Sequence, residues 1–236
     1  RLDRLQARFP AAYQRYGQAW LAMYGLRDLR TSGQLEGSLD LEADGPRSLA
    51  FNTDGLDLAD GAGRLAISGL RGGVNWAGQG ELDATALGWR SLQFYRIGLG
   101  TAQAHLQSRD GSLRLTRPLL VPTLGGRLRL NELAWKPAAG DGQKLAAALA
   151  VTGIDMASFS RAMGWPAFPG TLGGAVPALR WTGDRIDLAG GLSVNVFDGF
   201  VDVTRLSLQQ PFGDDPALAA DLSLRQLDLA AMTSVF

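Results

Sequence analysis

Residues 185–208 read RIDLAGGLSVNVFDGFVDVTRLSL, and this stretch decides the fold class. Ile186/Leu188 and Leu192/Val194/Val196 alternate with polar or small residues, as do Val201/Val203 and Leu206/Leu208. A period of two is that of a strand with one apolar face. Between the two apolar series stands Asp198-Gly199, a tight-hairpin signal because glycine tolerates the positive φ such turns require. The segment therefore reads as two antiparallel strands that share an apolar face.

The same grammar extends outward over most of the chain. Leu35, Leu39 and Leu41 alternate with Glu36, Ser38, Asp40 and Glu42. Leu49/Phe51, Leu56/Leu58, Leu65/Ile67, Leu92/Phe94, Leu113/Leu115, Leu128/Leu130 and Leu222/Leu224 repeat the scheme. Further Asp-Gly pairs fall at 54–55, 60–61, 110–111 and 141–142. Strands following one another without long helices predict an antiparallel meander rather than βαβ units, and over 33–135 one continuous, strongly curved sheet.

Three short stretches carry helical spacing. Pro10–Tyr24 places Tyr13, Tyr16, Trp20 and Met23 on one side, before Gly25. Residues 1–30 hold six arginines against two aspartates, a net +4, so they read as an amphipathic helical segment preceding a β region over 31–236. A second helix is expected after Asp155 and a third after Asp228, each aspartate serving as N-cap. These two belong to an internal repeat: LAAALAVTGIDMASFS at 145–160 recurs as LAADLSLRQLDLAAMT at 218–233. Gly55-Leu56-Asp57-Leu58-Ala59 is a shorter echo. The third copy breaks off after its helix and the chain opens at Arg1, so the sequence reads as a piece of a longer protein.

Composition narrows the function classes. Twenty-three basic residues balance twenty-three acidic ones, which disfavours a nucleic-acid partner. Zero cysteines remove thiol nucleophiles, disulfides and thiolate metal sites, and the single His105 removes histidine clusters. No apolar run approaches the ~20 residues of a membrane-spanning helix. His105 sits in an alternating stretch without a nucleophile elbow, so it reads as a strand-surface residue. Asp184/Asp187 and Asp214/Asp215 fall in turns or on alternate strand positions, where aspartate is expected for structural reasons. The Asp57–Asp60 stretch lacks the successive oxygen ligands of a calcium loop. No enzymatic activity and no cofactor is expected. The loop Gly164-Trp165-Pro166-Ala167-Phe168-Pro169-Gly170 reads as a stiff hydrophobic plug, with a partner contact as the other reading.

Many strands with one apolar face, and few helices to cover it, allow two solutions. Either the sheet folds on itself as a sandwich or barrel, or it curls into an open groove filled by something apolar. Composition favours the former, because proteins usually bury their own apolar surface.

The C-terminal half carries a resemblance. Phe197-Asp198-Gly199, Pro211-Phe212-Gly213, Pro216, Leu218-Ala219-Ala220-Asp221-Leu222 and Leu227-Asp228-Leu229 with Thr233, together with Gly170-Thr171-Leu172-Gly173-Gly174 and Pro177, resemble the YdbH branch of the AsmA-like (TamB-like) bacterial proteins. The match covers roughly 145–236. That family transports phospholipid between membranes, and the resemblance implies a long curved antiparallel sheet forming a U-shaped apolar groove. It also implies periplasmic location, with an inner-membrane anchor in a segment outside this chain, and phospholipid acyl chains as the bound partner. Envelope proteins would be further partners. In such a groove the lining residues of this chain would be Leu192, Val194, Val196, Val201, Val203, Leu206 and Leu208. The competing expectation is a β-sandwich adhesion or carbohydrate-binding module, which a row of exposed aromatics would favour.

Overall fold

A computed structural model describes residues 2–18, 28–42, 45–140, 142–211 and 215–233. Among the described residues sixteen strands form one sheet. In chain order they are β1 (Leu2–Phe9), β2 (Leu29–Glu42), β3 (Gly45–Asp60), β4 (Leu65–Ala77), β5 (Thr85–Trp89), β6 (Ser91–Phe94), β7 (Ile97–Leu99) and β8 (Ala102–Arg109). There follow β9 (Ser112–Leu115), β10 (Leu119–Thr123), β11 (Gly126–Trp135), β12 (Gln143–Asp155), β13 (Gly170–Thr182), β14 (Arg185–Val196), β15 (Gly199–Gln209) and β16 (Ala217–Arg225). Helix α1 (Met156–Met163) joins β12 to β13, and α2 (Leu229–Thr233) follows β16.

Each long strand pairs antiparallel with its sequence neighbours, as the alternation predicts. Between β4 and β11 the rungs are split. β5 and β6 both pair with β4, and β9 and β10 both pair with β11. The topology is a plain meander whose middle rungs are kinked at Arg90, at Gly100–Thr101 and around Pro118. The irregularity continues past β11. Extra residues fall at Asn131 on β11, between Ala175 and Ala178 on β13, between Ala189 and Leu192 on β14, and between Val203 and Arg205 on β15. A bulge bends its strand and raises the local twist, so a belt of them across successive strands curves the sheet. Gly190 shows why glycine stands there: its φ is +155°, and an added Cβ would lie 2.5 Å from the Ala175 carbonyl oxygen.

Burial shows which way the sheet curves. Val74, Trp76, Ala104, Leu106, Leu113, Leu119 and Val121 form the core, with Leu49, Phe51, Leu87 and Leu128 packed against it. All come from this one sheet, and among the described residues neither helix is long enough to cover them. A sheet buries its own face without a covering layer only by rolling over it. Trp76 is 1% exposed and its indole N–H donates to the Gly111 carbonyl at 2.9 Å, so even the polar atom of the largest core residue is satisfied.

Two sequence expectations are corrected. Within the segment 1–30 that reads as helical, Leu2–Phe9 is instead a strand: β1 pairs with β2 from Leu2 to Phe9. Leu5/Ala7/Phe9 alternate with Gln6/Arg8, and the open edge of β2 supplies backbone partners, so the strand period prevails over the helical one. The helix expected over Pro10–Tyr24 is helical where it is described, over residues 11–18, with a π-helical stretch at Tyr13–Gly17; residues 19–27 lie outside the described residues. The buried Tyr13 hydroxyl accepts the Leu29 amide at 3.1 Å and ties this turn to β2. Asp54–Gly55 is no hairpin but an irregularity inside β3, where Gly55 has a φ of +141°. The shorter echo at Asp57 lies inside a strand. β3 runs on to Asp60, and the Asp57 carboxylate accepts the Gly69 amide at 2.6 Å from β4.

Candidate functional site

Residues directly opposite on neighbouring strands point to the same face. Following such pairs across the sheet traces continuous apolar rows. One runs Leu128–Val151–Gly174–Leu192–Val203–Leu222 from β11 to β16. A second runs Leu133–Ala147–Leu179–Leu188–Leu206–Ala220. Val121 stands opposite Leu128, so the first row joins the face of the buried core.

The residues assigned from the alternation are brought together on that face. Val194 opposes Val201, Leu192 opposes Val203, and Leu206 and Leu208 oppose Leu188 and Ile186. Val196, opposite Gly199, is buried at the hairpin end. The other six are half-buried, neither sealed in a core nor fully open. The expectation stopped at β15. It missed β16, whose Leu218, Leu222 and Leu224 extend the same face and are 60–66% exposed. The Leu222/Leu224 alternation was the signal that could have placed them.

The reverse face is polar. The Ser193 hydroxyl donates to Asp202 at 2.8 Å, Arg225 pairs with Asp202, and Arg185 pairs with Asp187 at 2.7 Å. Ser193, then Arg225, hold the Asp202 carboxyl below the usual carboxylate range.

Two features shape the apolar face at its margins. A hollow of about 710 Å³ spans β2, β3, β4, β6 and β7, with Thr31, Leu58, Ile67, Leu92 and Leu99 along it. Consecutive pairings link these five residues in one row, so the hollow runs across the strands. The β6–β7 turn belongs to the sheet margin that also holds the β3–β4, β10–β11 and β14–β15 turns. The β15–β16 turn belongs to the opposite margin. Yet the Tyr95 hydroxyl, in the former, donates to the Pro211 carbonyl, in the latter, at 2.6 Å. Opposite margins of the sheet thus come into contact.

Aromatic side chains gather at the first margin. Asp155 caps α1 by accepting the Ser158 amide at 2.8 Å, and Gly164 ends the helix in the left-handed conformation. Hydrogen bonds from Ser158 hold the Asp155 carboxyl below its usual range. Beyond the helix, Trp165 meets Phe159 edge-on at 6.0 Å and Phe168 meets Phe197 at 5.5 Å. Trp165 is exposed, so the loop is no sealed plug. Asp228 repeats the cap at α2, accepting the Ala230 amide at 2.8 Å.

Groups for catalysis are dispersed. Asp184 and Asp187 flank the start of β14, where Asp187 is engaged by Arg185; Asp214 lies outside the described residues. His105 faces away from the core between the buried Ala104 and Leu106 and contacts Arg117. No group of three or more acidic or histidine side chains placed to hold a metal ion occurs among the described residues. None of their helices is long and apolar enough to cross a membrane.

No family model, curated protein or solved structure matches the chain.

Proposed function

We propose that this chain is a segment of a periplasmic, bridge-like protein that binds phospholipid acyl chains along an open apolar groove and conducts them between the inner and outer membranes. The observation that carries this reading is the apolar face itself. It is continuous from the buried core to β16, it belongs to one sheet, and toward the C-terminus nothing in the described residues covers it. Acyl chains suit such a trough because each buried CH₂ contributes about 0.8 kcal/mol and needs no polar partner. A face without a cluster of reactive groups suits passage rather than chemistry. An adhesion or carbohydrate-binding sandwich fits less well. Such a module needs a second sheet, and the exposed Trp135, Trp165 and Phe200 stand on separate elements rather than in a row.

Native mass spectrometry after gentle purification tests the reading. The parent chain should carry phospholipid, and Val194→Asp should lose most of it while remaining folded, because a half-exposed aspartate reaches water once lipid is gone. Asn195→Asp, on the reverse face, should retain the lipid; Ser193 is unsuitable as that control because its hydroxyl already engages Asp202. A parent chain without extractable lipid, or a Val194→Asp variant that unfolds, sinks the groove.

A further inference from the structure

A single polar side chain stands in the row that crosses the hollow of β2, β3, β4, β6 and β7. That row is Thr31–Leu58–Ile67–Leu92–Leu99, one residue per strand. Thr31 is 8% exposed, and its hydroxyl has no hydrogen-bond partner among the described residues. A buried hydroxyl without a partner is destabilising, so an acceptor is wanted that the chain does not supply. Rotation between staggered χ1 positions brings that oxygen from its buried side to the hollow. The neighbouring polar groups are engaged elsewhere. Ser32, Asp57 and Ser68 alternate with the row and face the reverse side, where Ser32 donates to Asp57 at 3.3 Å and Arg90 to Ser68 at 3.4 Å. At the far end Leu99 stands opposite Thr123, whose hydroxyl already donates to the Gly98 carbonyl at 2.7 Å. Water suits the place poorly, since a held water needs about two to four polar partners and the row offers Thr31 alone.

We propose that the hollow seats one acyl chain bearing a neutral ester. The chain lies across the strands over Leu58, Ile67, Leu92 and Leu99, and its ester carbonyl accepts the Thr31 hydroxyl. Four inter-strand spacings of about 4.8 Å give the row a length of about 19 Å. An acyl chain has that reach, since two end to end span the ~30 Å hydrocarbon core of a bilayer. The volume of about 710 Å³ is that of a small-molecule pocket. An ester fits better than a free carboxylate, because the row holds no cationic side chain and a buried carboxylate without one is costly. The seat also orients the chain, with the carbonyl at β2 and the methyl end toward Leu99, which packs against the buried core. It presupposes that the apolar face takes lipid, and adds a fixed station on that face with one hydrogen bond.

Palmitoyl lysophosphatidylcholine and its hexadecyl ether analogue share chain length and headgroup and differ in the carbonyl alone. Calorimetric titration below micelle formation should show the ester binding about three- to tenfold more tightly than the ether. Thr31→Val keeps the side-chain shape and should erase that difference by weakening the ester only. The same substitution should raise the melting temperature of the lipid-free chain, because it removes an orphaned hydroxyl. Palmitic acid should bind more weakly than the ester. Equal binding of ester and ether by the parent chain, an ester preference that survives Thr31→Val, or palmitic acid binding as tightly as the ester overturns the seat. If ester and ether bind alike while phospholipid still co-purifies and is lost in Val194→Asp, the groove stands without the seat. Binding of neither lysolipid, with no co-purifying phospholipid, removes both.

Discussion

The rungs from β4 to β11 and those from β13 to β16 share one sheet, one alternation and one apolar face, yet they treat that face differently. In the former, Val74, Trp76, Leu106, Leu113 and Val121 are buried. In the latter, the leucines and valines of the face are mostly half-buried from β13 to β15, and on β16 Leu218, Leu222 and Leu224 project largely into solvent. Composition does not separate them; the interruption of the strands does. The middle rungs are broken into short collinear pieces, β5/β6, β7/β8 and β9/β10, and each break lets the sheet bend over its own leucines. The C-terminal rungs carry single bulges in otherwise long strands. An identical strand pattern can therefore produce either a core or an uncovered surface, depending on how often its strands are interrupted.

The sharpest way to break that contrast is to remove one large side chain from each region. Trp76→Ala should cost about 3–5 kcal/mol by chemical denaturation, since it leaves a cavity and an orphaned carbonyl. Leu206→Ala, half-exposed in β15, should cost about 1 kcal/mol or less. Equal costs would mean that the C-terminal face is as well packed as the middle.

Asp60, buried at the end of β3, binds Arg64 at 2.8 Å. The Arg64 side chain holds its carboxyl below the usual range. A folded pKa below the unfolded value of about 3.9 contributes stability above pH 4 that is lost as pH falls through the folded value. Asp60→Asn should cost about 1–3 kcal/mol at neutral pH and flatten the acid limb of the stability curve. An unchanged acid limb would place the pH dependence elsewhere.

Helix α1 stands where the packed region gives way to the open one. Asp155→Ala should cost about 0.5–2 kcal/mol, whereas Asp155→Asn should be nearly neutral because asparagine caps as well. Equal loss from both, at unchanged helix content, would assign the carboxylate a charge-dependent task.

The smallest effect belongs to the contact that joins the regions. Tyr95→Phe removes a hydrogen bond worth about 0.5–1.5 kcal/mol. Amide exchange should quicken around Pro211 and the end of β15 while the middle rungs stay protected. Uniform quickening would show that the two regions unfold as one unit.

Much of the architecture was legible in the residues themselves. Alternation at Leu192/Val194/Val196 and Val201/Val203 specified strands and their shared face, because a side-chain period of two admits no other regular structure. Asp198-Gly199 marked where the hairpin falls, although the turn itself is Phe197-Asp198, which take the positive φ while Gly199 opens β15. Asp155 and Asp228 placed the caps, because helix ends are settled by local backbone chemistry. Where local signals were incomplete, pairing decided. Leu2–Phe9 became a strand because β2 offered it an edge, and Asp57, in the same local sequence as Asp155, found an amide across the sheet instead of a helix to cap. How far the sheet rolls, which leucines it buries, and that Tyr95 meets Pro211 across 116 residues could be read from no window of sequence. Those outcomes sum small bends over many strands, and the sum exists only in three dimensions.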